Sequence, residues 1–407
     1  MTLWSLCSLR VTVLIAIIGA MPGLALPQQK PVKKPMPGMP GMSGMTSDSS
    51  RRPATRRQVT TAPSDSMAMQ MDMPMPVPMP KGMPMIPGLV GLVPPVGSFL
   101  PGAGLNARTL PAAKPTQIKA LRDGDTLDLT AMLVSRAIRG HVFAMYGFNG
   151  QVPGPLIRVP QGATITVRFH NRIELPSTVH WHGVRLDNRF DGVPGLTQDS
   201  VKPGGNFVYT VHFPDAGIYW YHPHVREDIE QGMGLAGNIR VDSPEPEYYS
   251  PVNHEQTLML SDLLVNGDTL IPFGKDAPDF ALMGRVGNVL LVNGEPRYDL
   301  HVSRGDIVRF FITNVSSSRT FNLSFGGAPI KVVASDVSRF EREERVPSVV
   351  IAPAERYVVE VRFGGPHVYR IVNAVQAINH YAGEFSPEVD TLGAVTAGAA
   401  PAAPDYA

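Results

Sequence analysis

Two histidine pairs are the residues of this chain best suited to metal chemistry. They lie in the segments His180-Trp181-His182-Gly183 and Tyr221-His222-Pro223-His224. On an extended strand, residues i and i+2 face the same side and lie roughly 7 Å apart. Each pair therefore offers two imidazoles to one side of a strand, and two such strands together would form a face of four. Imidazoles bind Zn, Cu, Fe or Ni, so the histidine pairs predict a metal site but do not identify the metal.

The N-terminal residues resemble a secretory signal, and they contain the only cysteine, Cys7. A signal peptide is predicted over 1–25, because Arg10 precedes an apolar run and small residues follow it at 23–25. The run is too short to span a bilayer by itself, with an uncleaved anchor as the alternative. We expect an exported protein, periplasmic or extracellular, whose mature chain has no membrane span and no cysteine.

The elements that must position the histidines are predicted to be strands. From about residue 118 the chain alternates short apolar and polar runs, such as 165–169 and 207–211, separated by Gly, Pro, Asn and Asp. This pattern is typical of an all-β sandwich or barrel. The charge is balanced, with 36 basic and 35 acidic residues, which argues against nucleic acid or an anionic membrane as a partner.

The segment 26–115 is predicted to be disordered, since Pro, Gly, Met, Ser and Lys dominate it and little apolar surface can be buried. Its methionines are regularly spaced between prolines that exclude an amphipathic helix. Thioethers select Cu(I), so this leader is a candidate Cu(I) binder, and a compositionally biased linker is the alternative. The methionines are Met36, Met39, Met42, Met45, Met67, Met69, Met71, Met73, Met75, Met79, Met83 and Met85.

The strand-rich part of the chain repeats itself. Gly162 and Asn171 match Gly305 and Asn314, and the run 203–213 matches 353–363 without a gap. Ordered matches of this kind predict two tandem copies of one β-domain, over 116–245 and 250–375. A linker-like tail is predicted over 376–407.

The copies differ where the histidines stand. In the sequence match His180 and His182 align with Leu323 and Phe325, and the second histidine pair aligns with Val372 and Ala374. The second copy is therefore expected to keep the scaffold and lack the ligands.

These motifs resemble the multicopper oxidase family, which is built from cupredoxin domains, Greek-key β-sandwiches or barrels. The resemblance covers roughly 118–375. It includes His-Trp-His-Gly, the segment 191–195, Trp220-Tyr221-His222-Pro223-His224, and Ala352-Pro353-Ala354-Glu355-Arg356. Methionine-rich leaders such as 36–85 are similar to those of family members that handle copper in bacterial envelopes.

The resemblance implies a role for each histidine. His180 would bind a type 2 copper, and His182, His222 and His224 would bind a type 3 pair. Asp191 resembles the acid that relays protons during dioxygen reduction, although an Asp before Gly is also a common turn residue. The second domain would serve as a spacer. The other histidines show no ligand spacing and are expected to be structural.

The chain also departs from the family pattern, in which a third domain supplies the type 1 copper and four more histidines. A blue copper site needs a thiolate, and no cysteine follows Cys7. We therefore expect half of a three-copper site, inactive alone, either truncated or completed by a separate third cupredoxin domain. In the complete enzyme, oxidation of phenols, aromatic amines or Cu(I) would be coupled to O₂ reduction. A non-catalytic exported copper buffer in copper homeostasis and a copper-free structural relative are the alternatives.

Overall fold

Short strands with alternating buried and exposed side chains make up most of the regular structure. The computed structural model describes residues 98–274, 284–336, 338–379 and 384–406. In the strand Thr164–Arg172, Ile165, Val167 and Phe169 are buried, whereas the residues between them are partly or fully exposed. Because each strand has an apolar face, the sheets stack in pairs around cores. The prediction of an all-β chain is confirmed.

The first domain is a sandwich of two sheets. Its strands are β1 (Ile118–Ala120), β2 (Thr126–Ile138), β3 (His141–Phe148), β4 (Leu156–Pro160), β5 (Thr164–Arg172), β6 (His180–His182), β7 (Asn206–His212), β8 (Gly217–His222) and β9 (Gly237–Asp242). The strand orders are β1-β4-β9-β8-β6 and β3-β2-β5-β7. One helical turn, α1 (Glu227–Glu230), follows β8, and 3-10 turns occupy Ala107–Thr109 and Asn188–Phe190.

Aromatic side chains fill the core beneath the two histidine strands. Trp181 on β6 and Tyr221 on β8 are fully buried, as is Tyr209 on β7. The rings of Trp181 and Tyr209 meet edge to face at 5.6 Å, a favourable arrangement for buried aromatic pairs. The Tyr209 hydroxyl accepts a hydrogen bond from the Val179 amide at 2.9 Å. This bond holds the residue that precedes β6 against the core.

The second domain is a similar sandwich. Its strands are β10 (His254–Leu263), β11 (Val265–Asn266), β12 (Thr269–Leu270), β13 (Val289–Val292), β14 (Tyr298–Arg304), β15 (Ile307–Asn314), β16 (Phe321–Phe325), β17 (Ile330–Ser335), β18 (Ser338–Val346), β19 (Val349–Ile351), β20 (Arg356–Arg362), β21 (Val368–Asn379) and β22 (Glu384–Pro401). The sheets run β13-β10-β15-β20-β17-β18 and β14-β22-β21-β16-β19, and β11 and β12 form a separate hairpin.

The predicted repeat of the two domains is confirmed by matching contacts. The Asn171 side chain donates to two carbonyls that close the loop after β5, and Asn314 does the same after β15. The hydroxyls of Tyr219 and Tyr369 each donate to the carbonyl four residues earlier. Equivalent asparagines and tyrosines therefore perform the same structural task in both copies.

The predicted alignment of β6 with β16 is wrong by one residue. Phe325 points into the second core as Trp181 points into the first, and each pairs with a core residue of the neighbouring strand. Ser324, the residue before Phe325, therefore takes the place of His180, whereas Leu323 is buried. A shift by one residue exchanges the two faces of a strand. Serine is not an imidazole, so the second domain still lacks the histidine at this position.

The prediction of a linker-like tail over 376–407 is also wrong. Strand β21 continues to Asn379, and β22 pairs in parallel with β14 and antiparallel with β21. Leu392 and Val395 of β22 are buried in the second core. This segment is part of the domain.

The described part of the predicted leader is ordered. Phe99 forms a backbone bridge with Phe273, and residues 112 and 114 bridge to Ser135 and Gln151. The prediction of disorder is therefore wrong for 98–115, while 1–97, with the predicted signal peptide and the methionines, lies outside the described residues. Over the described ranges, no helix has the length and apolar character needed to cross a bilayer.

Candidate metal centre

Strand pairing brings the two histidine pairs onto one face. Strands β6 and β8 are antiparallel, with His180 opposite His222 and His182 opposite Trp220. The ring centre of His180 lies 5.4 Å from that of His222 and 4.4 Å from that of His224. One ring nitrogen of each of His180, His182 and His222 lies within 4.8 Å of the others. Among the described residues, no other group of three potential ligands is this close together.

Hydrogen bonds to main-chain carbonyls orient two of the four imidazoles, and a carboxylate contacts a third. The Nδ1 atoms of His180 and His222 donate to the carbonyl oxygens of Asp191 and Pro223, both at 2.8 Å. The Nδ1 of His224 lies 3.0 Å from a carboxylate oxygen of Glu227. Carbonyl and carboxylate oxygens only accept, so Nδ1 carries the proton in each neutral ring. The Nε2 lone pairs remain free to bind a metal.

His182 is placed differently, beside His222. The Nδ1 of His182 lies 3.3 Å from the Nε2 of His222. Two nitrogens bound to one tetrahedral ion at ~2.0 Å would lie about 3.3 Å apart, so this pair has the separation needed to bind one ion. Trp220 stacks against both rings, at 4.8 Å and 4.1 Å between ring centres. The tryptophan thus limits rotation of both histidines.

The environment disfavours protonation of His182, His222 and His224. Burial, followed by the charge of Arg356 and the neighbouring histidines, lowers the pKa of His182 to about 3. Burial holds the pKa of His222 well below its usual value and also lowers the pKa of His224. Metal ions bind the neutral imidazole, so protons compete little at neutral pH. The chemistry of the donor set and its protonation therefore fit a nitrogen-preferring metal.

Asp191, the predicted proton relay, lies beside His180. Its carboxylate oxygen is 3.2 Å from the His180 Nδ1, slightly farther than its own backbone carbonyl oxygen. The residue ends the 3-10 turn Asn188–Phe190. Asp191 therefore has a structural role through its main chain, and its partly exposed carboxylate lies between the imidazole and solvent.

Two residues near the face were not predicted from the sequence. Glu227 contacts His224. Its position three residues after that histidine could have indicated this contact from the sequence. Arg356 comes from the second domain, where it is buried and paired with Asp336 at 2.7 Å. It also donates to the carbonyl of Ile218 in β8 at 3.3 Å. The second domain therefore places a cation close to the histidine face.

Other described histidines are engaged away from this face. His170 contacts Asp128 and Asn206, and His254 contacts Asp306. These contacts match the expected structural role.

A buried acid lies behind the site, on α1. Glu230 is fully buried and accepts a hydrogen bond from Ser177 at 2.6 Å. Burial raises the pKa of Glu230 to about 9. Because the pKa of Glu230 is higher in the folded state, the free energy of unfolding is greatest below the unfolded-state pKa. It decreases as the pH rises from there to about 9.

We expect Glu230→Gln to remove this pH dependence. The loss with pH amounts to about 1.4 kcal/mol per pH unit between the two pKa values. The variant should therefore gain about 3 kcal/mol of unfolding free energy over the wild type between pH 5.5 and pH 7.5. Urea denaturation of both proteins at the two pH values measures this difference. If the unfolding free energies of the two proteins changed equally with pH, the expected effect of Glu230 on stability would be contradicted.

Comparisons with known proteins identify a family for most of the described residues. A family model described as "Multicopper oxidase" matches residues 134–246, and a second model of the same description matches 247–391. The copper resistance protein A homolog of Pseudomonas syringae pv. tomato is 37% identical over 168 residues, which are 40% of this chain and 28% of that protein. The multicopper oxidase MmcO of Mycobacterium tuberculosis is 29% identical over 280 residues, or 61% of this chain and 54% of that protein.

Solved structures show the same fold. A crystal structure of a multi-copper oxidase from Pseudomonas thermotolerans matches with a TM-score of 0.60 and 29% identity. The match covers 70% of this chain and 66% of that one. In the sequence matches, the chain spans about a quarter of the length of the copper resistance protein A homolog and about half of the length of MmcO.

Proposed function

Because this chain belongs to the multicopper oxidase family, we propose that its four-histidine face binds copper as one half of a three-copper cluster. The observation that carries the proposal is one group of four imidazoles, formed by strands β6 and β8 and the segment that follows β8. Its members are His180, His182, His222 and His224. The Nδ1 atoms of His180 and His222 are hydrogen-bonded, and that of His224 lies 3.0 Å from a carboxylate oxygen. His182 has a nitrogen 3.3 Å from a nitrogen of His222.

Each histidine has a distinct place in this proposal. His180 binds the type 2 copper, and His182, His222 and His224 bind the type 3 pair. Copper, when bound, supplies one-electron redox chemistry, and the chain holds and orients its imidazole ligands. The Asp191 carboxylate, 3.2 Å from the His180 imidazole and partly exposed, can hold a proton between solvent and the site.

In the complete enzyme, electrons from a phenol, an aromatic amine or Cu(I) reduce O₂. Four imidazoles shared among three ions leave about one ligand each, whereas catalytic sites usually keep about three protein ligands. The 407 residues also have no cysteine after Cys7 for a blue copper site. The remaining ligands therefore come from a third cupredoxin domain, and these residues alone bind copper without turnover.

Copper loading of the purified polypeptide tests this function. We expect Cu(II) to remain bound through gel filtration, without the blue thiolate absorption and without O₂ consumption when a phenol is added. Retention of no copper would contradict the copper site, and O₂ consumption would contradict the half-site. A variant lacking 36–85 is the control for the leader: it should retain Cu(II), and it should bind less Cu(I) if the methionines bind that ion.

A non-catalytic exported copper buffer is the second candidate. The incomplete ligand set favours it, since binding and release need no type 1 centre. The two candidates differ in their response to an added third cupredoxin domain, which would produce O₂ consumption only for the oxidase.

A further inference from the structure

We infer that Glu227 is a positioning residue that orients His224 and favours Cu(II) over Cu(I) at that imidazole. The inference rests on the proposed copper function and adds a residue to that same site. Glu227 is outside the histidine motifs that define the face.

The local backbone places Glu227 beside its histidine. Strand β8 ends at His222, and the chain turns at Arg226, which adopts the left-handed conformation with φ +43° and ψ +54°. Helical turn α1 then begins at Glu227, three residues after His224. This turn brings the Glu227 carboxylate to 3.0 Å from the His224 Nδ1.

The carboxylate is available for this contact. Arg226, its neighbour in sequence, is engaged by Asp228 through two hydrogen bonds, at 2.9 Å and 2.8 Å. Among the described side chains, the ion pairs of Glu227 comprise the contact with His224 alone. The negative charge of Glu227 therefore acts on the imidazole and not on a nearby guanidinium.

Glu227 differs from the groups that hold the other histidines. His180 and His222 donate to the neutral main-chain carbonyls of Asp191 and Pro223, both at 2.8 Å, and the Asp191 carboxylate lies farther from the His180 Nδ1, at 3.2 Å. A carboxylate this close to Nδ1 attracts its proton more strongly than a neutral carbonyl does and increases the electron density on the ring. A more basic imidazole binds the more highly charged ion more tightly, so His224 should favour Cu(II).

The opposite charge lies at the other side of the face. The buried guanidinium of Arg356 packs against Gly183, next to His182: a Cβ on Gly183 would lie 2.3 Å from its Nη2. Glu227 and Arg356 therefore give His224 and His182 different electrostatic surroundings. The face is therefore polarised, with carboxylates beside His224 and His180 and a guanidinium beside His182.

The test compares Glu227→Ala and Glu227→Gln in the full chain by competition titration of Cu(II) and by electron paramagnetic resonance. We expect Ala to weaken Cu(II) binding by roughly 10- to 100-fold and to change the Cu(II) spectrum, since comparable second partners of ligands have effects of this size. Gln keeps a side-chain oxygen at a similar position beside Nδ1 but lacks the charge. It should keep the wild-type spectrum and show a smaller loss of affinity.

The control is Glu341→Ala on the exposed strand β18, which removes the same charge far from the histidines in sequence. It should bind Cu(II) like the wild type. If the wild type binds Cu(II) and Glu227→Ala has the same affinity and spectrum, the inference fails and the copper site stands. If the wild type binds no Cu(II), the proposed function fails, and the inference with it. Thermal unfolding of the metal-free variants verifies that each is folded.

Discussion

Replacing His180 and His222 together by alanine should abolish Cu(II) binding at the four-histidine face. The two residues are directly opposite each other on β6 and β8, so their loss removes donors from both strands. Each imidazole ligand contributes a few kcal/mol, so the combined loss should weaken binding by at least about 100-fold. Competition titration against a Cu(II) chelator measures the change.

The matched control for this experiment is the pair His170→Ala and His254→Ala. It removes the same number of imidazoles, but these contact Asp128 and Asp306 away from the face. Cu(II) affinity should stay at the wild-type level in the control. An unchanged titration in the first variant would show that copper binds elsewhere in the chain.

Gly192→Ala should destabilise the first domain far more than Gly195→Ala. Both glycines have left-handed backbones, with φ +76° and +72°, which costs an alanine roughly 1–2 kcal/mol. A Cβ on Gly192 would lie 2.0 Å from the carbonyl oxygen of Val179, whereas a Cβ on Gly195 has no atom within 4 Å. The overlap should add about 2–3 kcal/mol to the loss of unfolding free energy, because the Val179 backbone cannot move away without displacing β6.

Urea denaturation of the two variants measures this difference in unfolding free energy. Gly192 follows Asp191, whose carbonyl oxygen orients His180 at 2.8 Å. The Gly192 variant should therefore also bind Cu(II) more weakly, and the Gly195 variant should not. Equal stability of the two would show that the loop can move away from Val179 at little cost.

The histidine face was predictable from the sequence because it depends on local rules. Residues at i and i+2 of a strand face one side, and the pairing of β6 with β8 brings the two motifs together. The alignment of Leu323 with His180 failed because two adjacent glycines, Gly326 and Gly327, can each match Gly183. The alternation of buried residues resolves this ambiguity, and it is visible only in the folded sheet.

The C-terminal strand was missed because its composition resembles that of a linker. Its small residues serve close packing: a Cβ on Gly393 would lie 1.7 Å from the carbonyl oxygen of Tyr298. Similarly, Phe99 and Leu100 pack against the first core at the end of a segment whose average composition predicts disorder. Composition over a long window cannot reveal such single contacts.

Glu227 and Arg356 differ in how far they could have been predicted. Glu227 stands close to His224 in the sequence, but its contact requires the left-handed turn at Arg226. Arg356 reaches the face from a distant strand, β20, and no local sequence pattern indicates this contact. Long-range electrostatic neighbours of a site are therefore the least accessible to sequence reasoning.

The interdomain contacts of Arg356 affect how such proteins can be rearranged. Its guanidinium lies against the glycine that ends His-Trp-His-Gly and donates to the β8 carbonyl of Ile218. The second domain is thus more than the spacer expected from the sequence. Chimeras that exchange this domain between homologues would also exchange a positive charge beside the histidine face, so the electrostatic surroundings of that face depend partly on the second domain.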